Sequence, residues 1–114
     1  PMTTTISDPV YQGEGKWFKF TVTDEARVSL NLSPSTFKFQ VKASIDDLLP
    51  LFEAVHWDYT DLALGIVRAN LPASQTLLMA PGTYYGQLLI VLVADKDVDI
   101  SQIIKFKIKK PLVG

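Results

Sequence analysis

Hydrophobic and polar positions alternate with a period of two in three separate stretches of the chain. Around residue 20, Phe18, Phe20 and Val22 fall on one side and Trp17, Lys19 and Thr21 on the other. Further on, Phe37, Phe39, Val41 and Ala43 alternate with Lys38, Gln40 and Lys42, and near the C-terminus Ile104, Phe106 and Ile108 alternate with Lys105, Lys107 and Lys109. That period is the mark of a strand with one buried face. Weaker strand signals run from Thr5 to Gln12, broken at Asp8-Pro9, and over Leu51–Trp57 and Ile66–Leu71, separated by the polar Asp58-Tyr59-Thr60-Asp61. Proline cannot donate to a ladder, so the break at Pro9 suits an edge or a bulge.

The stretch from Pro81 to Ala94, PGTYYGQLLIVLVA, departs from this pattern. A turn opens it and almost every residue after the tyrosines is apolar. Gln87 sets its register. With Gln87 outside, Tyr84, Gly86, Leu88, Ile90 and Leu92 face a core, and Tyr85, Leu89, Val91 and Val93 face outward. An outward apolar row of that length needs a cover. The long segment Ile45–Asp61 folding over the sheet is one candidate, and a docking subunit on an assembly face made of Tyr85, Leu89, Val91 and Val93 is the other.

About seven strands with turn signals between them predict an all-β fold, an immunoglobulin/fibronectin-like antiparallel β-sandwich, as one domain over residues 1–114. One short helical turn is expected in Leu71–Gly82, where Pro72 and Ser74 open it, Pro81-Gly82 ends it, and the chain crosses between sheets. The segment Asp24–Ser35 reads as a connection.

Composition narrows the function classes. Eleven basic residues against twelve acidic ones give a net charge of -1, which supplies no electrostatic footprint for nucleic acid or anionic membrane. Without cysteine there is no disulfide, thiolate zinc site or cysteine nucleophile. The longest apolar run, Leu88–Ala94, is far shorter than the ~20 residues of a spanning helix, so the expectation is a soluble protein without signal peptide. Pro1 ahead of Met2 reads as a cloning scar.

With these elements in place, a resemblance emerges. Val10-Tyr11-x-Gly13-Glu14, Phe18-x-Phe20-x-Val22, Leu32-Ser33, Phe39-x-Val41-Lys42, Gly65, Leu71 and Ala80-Pro81-Gly82-Thr83-Tyr84-Tyr85 stand where the immunoglobulin-like domains of tailed-phage tail and baseplate proteins, such as the N-terminal domain of baseplate upper proteins, carry similar residues. Most of the chain takes part. The segment Ile45–Asp61 departs from the pattern by being longer and richer in apolar residues. The resemblance implies a virion structural module, made in the bacterial cytoplasm, whose partners are other tail or baseplate subunits and further copies of itself. It implies no reaction and no cofactor. The Pro-Gly-Thr-x-Tyr run also resembles a tyrosine corner built on Tyr84 and Tyr85.

Candidate chemistry is sparse. His56 is the single histidine, with no Gly-x-Ser-x-Gly elbow to make a serine triad, and hydrolysis would need a cleft joining it to nearby carboxylates. No catalytic, cofactor or metal residue is assigned. Asp95, Asp97 and Asp99 alternate like the start of a calcium loop, but neither the glycine at its sixth position nor the glutamate at its twelfth follows. Asp46, Asp47, Glu53, Asp58 and Asp61 read as turn residues, and Lys105, Lys107, Lys109 and Lys110 as guards on a terminal strand against edge pairing. Gly13 and Gly15 precede a strand, so they make no phosphate loop. Trp17, Trp57 and Tyr59 form a possible aromatic binding surface, the basis of the alternative reading as a carbohydrate-binding module, although Trp57 also suits a sandwich core.

Overall fold

The computed structural model describes residues 3–23, 32, 35–92 and 99–111. Its strands are β1 (Thr3–Thr5), β2 (Val10–Tyr11), β3 (Lys16–Thr21), β4 (Ser35–Lys42), β5 (Phe52–Glu53), β6 (Trp57–Asp58), β7 (Ile66–Leu71), β8 (Gly82–Leu92) and β9 (Asp99–Lys109). A 3-10 turn at Leu62–Leu64 precedes β7, and the helical turn α1 (Ala73–Thr76) joins β7 to β8. Most of the connection at Asp24–Ser35 lies outside the described residues, as do Asp95 and Asp97.

Two sheets pack face to face. One runs β1-β9-β8-β4-β5, with β2 also on β9, and the other runs β3-β7-β6. The first strand is split where Pro9 predicts, and both halves join β9 in parallel while the interior pairs are antiparallel. The resulting strand order is that of an immunoglobulin-like sandwich. Alternation becomes burial directly. Phe18 and Phe20 of β3 and Val67, Ala69 and Leu71 of β7 meet Phe39 and Val41 of β4, Leu88 and Ile90 of β8 and Phe106 and Ile108 of β9 across the core. Phe39 lies between Phe18 and Phe20 with ring centroids 5.5 Å from each, the spacing of favourable tilted aromatic pairs.

Three expectations fail, the first two for one reason. Leu51–Trp57 is not one strand. It is two residues of β5 on β4, then a crossing, then two residues of β6 on β7. Ala54 N–H still bonds the Phe39 carbonyl of the large sheet, while two residues later the His56 carbonyl accepts from Asn70 of the small sheet. Because the segment closes an edge of the sandwich, it does not cover the face of β8, and Ile45, Leu48, Leu49, Leu51 and Val55 stay exposed. The lysine-bearing strand β9 is not an edge either, since β8 lies on one side and β1 and β2 on the other.

Candidate interaction surfaces

The outward face of β8 is the first surface. Cross-strand register puts Tyr85 between Lys42 of β4 and Lys105 of β9, and Leu89 between Lys38 and Ser101. Lysine stems bury apolar surface while their ammonium heads stay wet, and Lys42 reaches far enough over the face to donate to Gln87 Oε1 at 3.4 Å. Tyr85 is half-buried and Leu89 is 37% exposed. The side chain of Val91 and the whole of Val93 lie outside the described residues.

Aromatic residues make the second surface. Trp57 is paired in register with Ala69, an inward residue, whereas Trp17 is paired with Asn70 on the outer face of the same sheet. The three sequence candidates therefore do not share one surface. Trp57 and Tyr59 instead gather on Phe37 of the opposite sheet, at centroid distances of 5.8 and 5.3 Å, with their own rings 6.1 Å apart and only 7° from parallel. Trp57 packs against the core and Tyr59 is half-exposed. Partial burial makes the charged phenolate unfavourable and raises the Tyr59 pKa above the ordinary tyrosine value.

Beside this cluster the carboxylates hold the turn together. Asp58 accepts a hydrogen bond from Thr60 N–H at 2.9 Å, and Asp61 accepts one from the Arg68 guanidinium at 3.0 Å. The hydrogen bonds from Thr60, and after them the charge of Arg68, hold the Asp58 carboxyl below the ordinary aspartate range. Glu53 accepts from Gln40, and Asp47 accepts from Ser44 N–H. His56 is exposed. Among the described residues no group of three histidine, cysteine or carboxylate side chains is placed to hold a metal ion, and no helix is long and apolar enough to cross a membrane.

A clasp fixes one end of the sandwich. The Thr76 hydroxyl is fully buried, accepts from Gly13 N–H at 3.0 Å and donates to the Glu14 carbonyl at 2.8 Å. Gly13 makes this possible with φ of 86°, a conformation that side chains resist. Gln12 Nε2 donates to the Met79 carbonyl at 2.7 Å. Tyr84 is buried, and its hydroxyl donates to the Ala80 carbonyl at 2.6 Å, the geometry of a tyrosine corner. Tyr85 points to the other face and takes no part in that bond. Sequence reasoning passed over two leucine pairs at this same end, Leu48-Leu49 and Leu77-Leu78, which are among the most exposed apolar side chains described. Their signal was available: each pair sits beside a turn and outside any strand period.

No protein-family model matches the chain, and no curated protein matches it by sequence.

Proposed function

We propose that the chain is a non-catalytic structural module of a phage or prophage tail or baseplate, located in the virion, which assembles through protein–protein contacts with other tail or baseplate subunits and with copies of itself. The observation that carries this reading is where the residues behind the resemblance sit. Phe18, Phe20, Val22, Phe39 and Val41 fill the core, Gly13 makes the turn clasped by Thr76, and Ala80 and Tyr84 form the corner. The residues that carry the likeness are thus the ones that build the frame, and the frame leaves apolar side chains such as Leu48 and Leu78 outside for contacts. Gradient-purified particles from an induced host culture, analysed by mass spectrometry and immunogold labelling, should contain the chain on the tail or baseplate. Particles free of it would overturn the assignment.

The stacked pair Trp57 and Tyr59 favours one second reading, a carbohydrate-binding module, because near-parallel rings offer a flat apolar surface to a sugar face. Under that reading, glycan titration by calorimetry loses its signal in Tyr59→Ala. It keeps the signal in Trp17→Ala, since Trp17 lies on the opposite face of its sheet.

A further inference from the structure

We propose that the leucine-bearing end of the sandwich is where a second copy of this chain docks about a two-fold axis. The inference rests on the part of the preceding reading in which the chain pairs with itself, and it moves the contact from the sheet face to the end. Register defines that end. Lys42 lies opposite Tyr85, Gly82 opposite Ile108, and Lys16 opposite Leu71, so the loop after β4, the corner before β8 and the turn before β3 project the same way. From this end emerge Leu48, 95% exposed, Leu49, 81%, Leu77, 65%, and Leu78, 80%, flanked by Ile45 and Leu51. Such a gathering exceeds the single scattered apolar residues of an ordinary surface.

Size and charge point to the occupant. The eleven residues of β8 or β9 span about 36 Å at ~3.3 Å per residue. That length exceeds either short extent of a body of 47 × 29 × 25 Å, so the strands follow the long axis and the end face measures some 29 × 25 Å. A face of those dimensions suits a standard interface of about 800 Å² per partner. Around the leucines stand charges of both signs: Glu14, Asp46 and Asp47, with Lys16, Lys109 and Lys110. None of them is in an ion pair among the described residues. An anionic lipid surface would select lysines alone, whereas a patch holding both signs complements itself when rotated by a two-fold axis. In that arrangement the Leu48-Leu49 loop of each copy lies against the Leu77-Leu78 corner of the other, and each contact occurs twice.

Sedimentation velocity over a concentration series, on the parent, the double variant Leu48→Asp/Leu49→Asp, Leu78→Asp and Leu89→Asp, tests the inference. The parent and Leu89→Asp should form a reversible dimer. The loop and corner variants should weaken it by about tenfold or more while keeping the parent's circular dichroism and the unfolding midpoint the parent shows when diluted to monomer. Loop and corner variants that retain the parent's mass overturn the end contact. If Leu89→Asp alone dissociates, pairing belongs to the sheet face and the homo-oligomer reading survives without this inference. A parent that is monomeric at every concentration, including one that co-sediments with anionic vesicles instead, overturns both.

Discussion

At Gly86 an added methyl group would sit 2.6 and 2.7 Å from Cζ and Cε1 of Phe39 and 2.9 Å from Cγ1 of Ile104. Replacing glycine by alanine ordinarily stabilises a compatible site by restricting the unfolded chain, but here the obstacle is a ring held between two others in the core. Overpacking wins, and Gly86→Ala should lower stability by ~1–3 kcal/mol in urea unfolding. Tyr84→Phe should cost only about 0.5–1.5 kcal/mol, since the Ala80 carbonyl it abandons belongs to an exposed residue and can turn to water. Tyr59 supplies a titration test. Its folded-state pKa is raised by burial, so the unfolded chain ionises first, and the stabilising contribution is lost as pH rises through the ordinary tyrosine value toward the folded one. Ultraviolet titration should show Tyr59 ionising late, and Phe37→Ala, which uncovers its ring, should move that ionisation to lower pH. At this scale the sequence was partly legible. The Tyr84 corner could be read from Pro81-Gly82-Thr83-Tyr84, whereas the stack on Phe37 could not, because its members are local neighbours only after the two sheets close.

Short elements in this fold are held by side chains from elsewhere. A helical turn of four residues has no independent stability, and α1 persists because the Thr76 hydroxyl ties it to Gly13 and Glu14. Thr76→Val keeps the shape and removes both bonds, leaving polar groups without partners, so a loss of ~1–3 kcal/mol is expected. Hydrogen exchange locates the damage. The Gly13 amide should exchange faster in the variant while the β4–β8 ladder keeps its protection. The edge element β6 and the turn after it depend in the same way on Arg68, whose guanidinium lies 3.6 Å from Asp58 and 3.0 Å from Asp61. Because the Asp58 pKa is depressed, its contribution is fully present above the ordinary aspartate value of 3.8 and disappears as pH falls through the folded value below it. The alternating strands β3, β4 and β9 were legible from their period, and β7 and β8 from apolar runs bounded by turn residues. By contrast, β5 and β6 are too short to show a period at all, and one continuous strand was the natural misreading of a chain that leaves one sheet for the other.

Across the whole molecule, the N-terminal segment decides which strand forms one edge of the large sheet. Its break at Pro9 was readable, but its parallel pairing with β9 was not, since register between segments about a hundred residues apart leaves no local pattern. Pairing explains an anomaly in β9: Ile103 and Ile104 are both buried although they face opposite sides of the sheet. Ile104 belongs to the core, and Ile103 lies between Thr3 of β1 and Gln87 of β8. Deleting residues 1–9 should therefore remove the half-buried Ile6 from its contact with the core, uncover Ile103 and lower the unfolding midpoint. It also frees the edge of β9 over Ile103–Lys105, which is where the lysine row gains a consequence. Charged side chains along an open edge oppose strand-to-strand addition, and salt shortens the reach of that repulsion from about 10 Å at 0.1 M to about 3 Å at 1 M. Light scattering of the shortened chain should match the parent's mass at low salt and rise above it at high salt. With Lys105→Thr and Lys107→Thr added, the excess mass should already be present at low salt. Equal association of both shortened chains at low salt would mean that β1 alone protects this edge and the lysines contribute nothing to it.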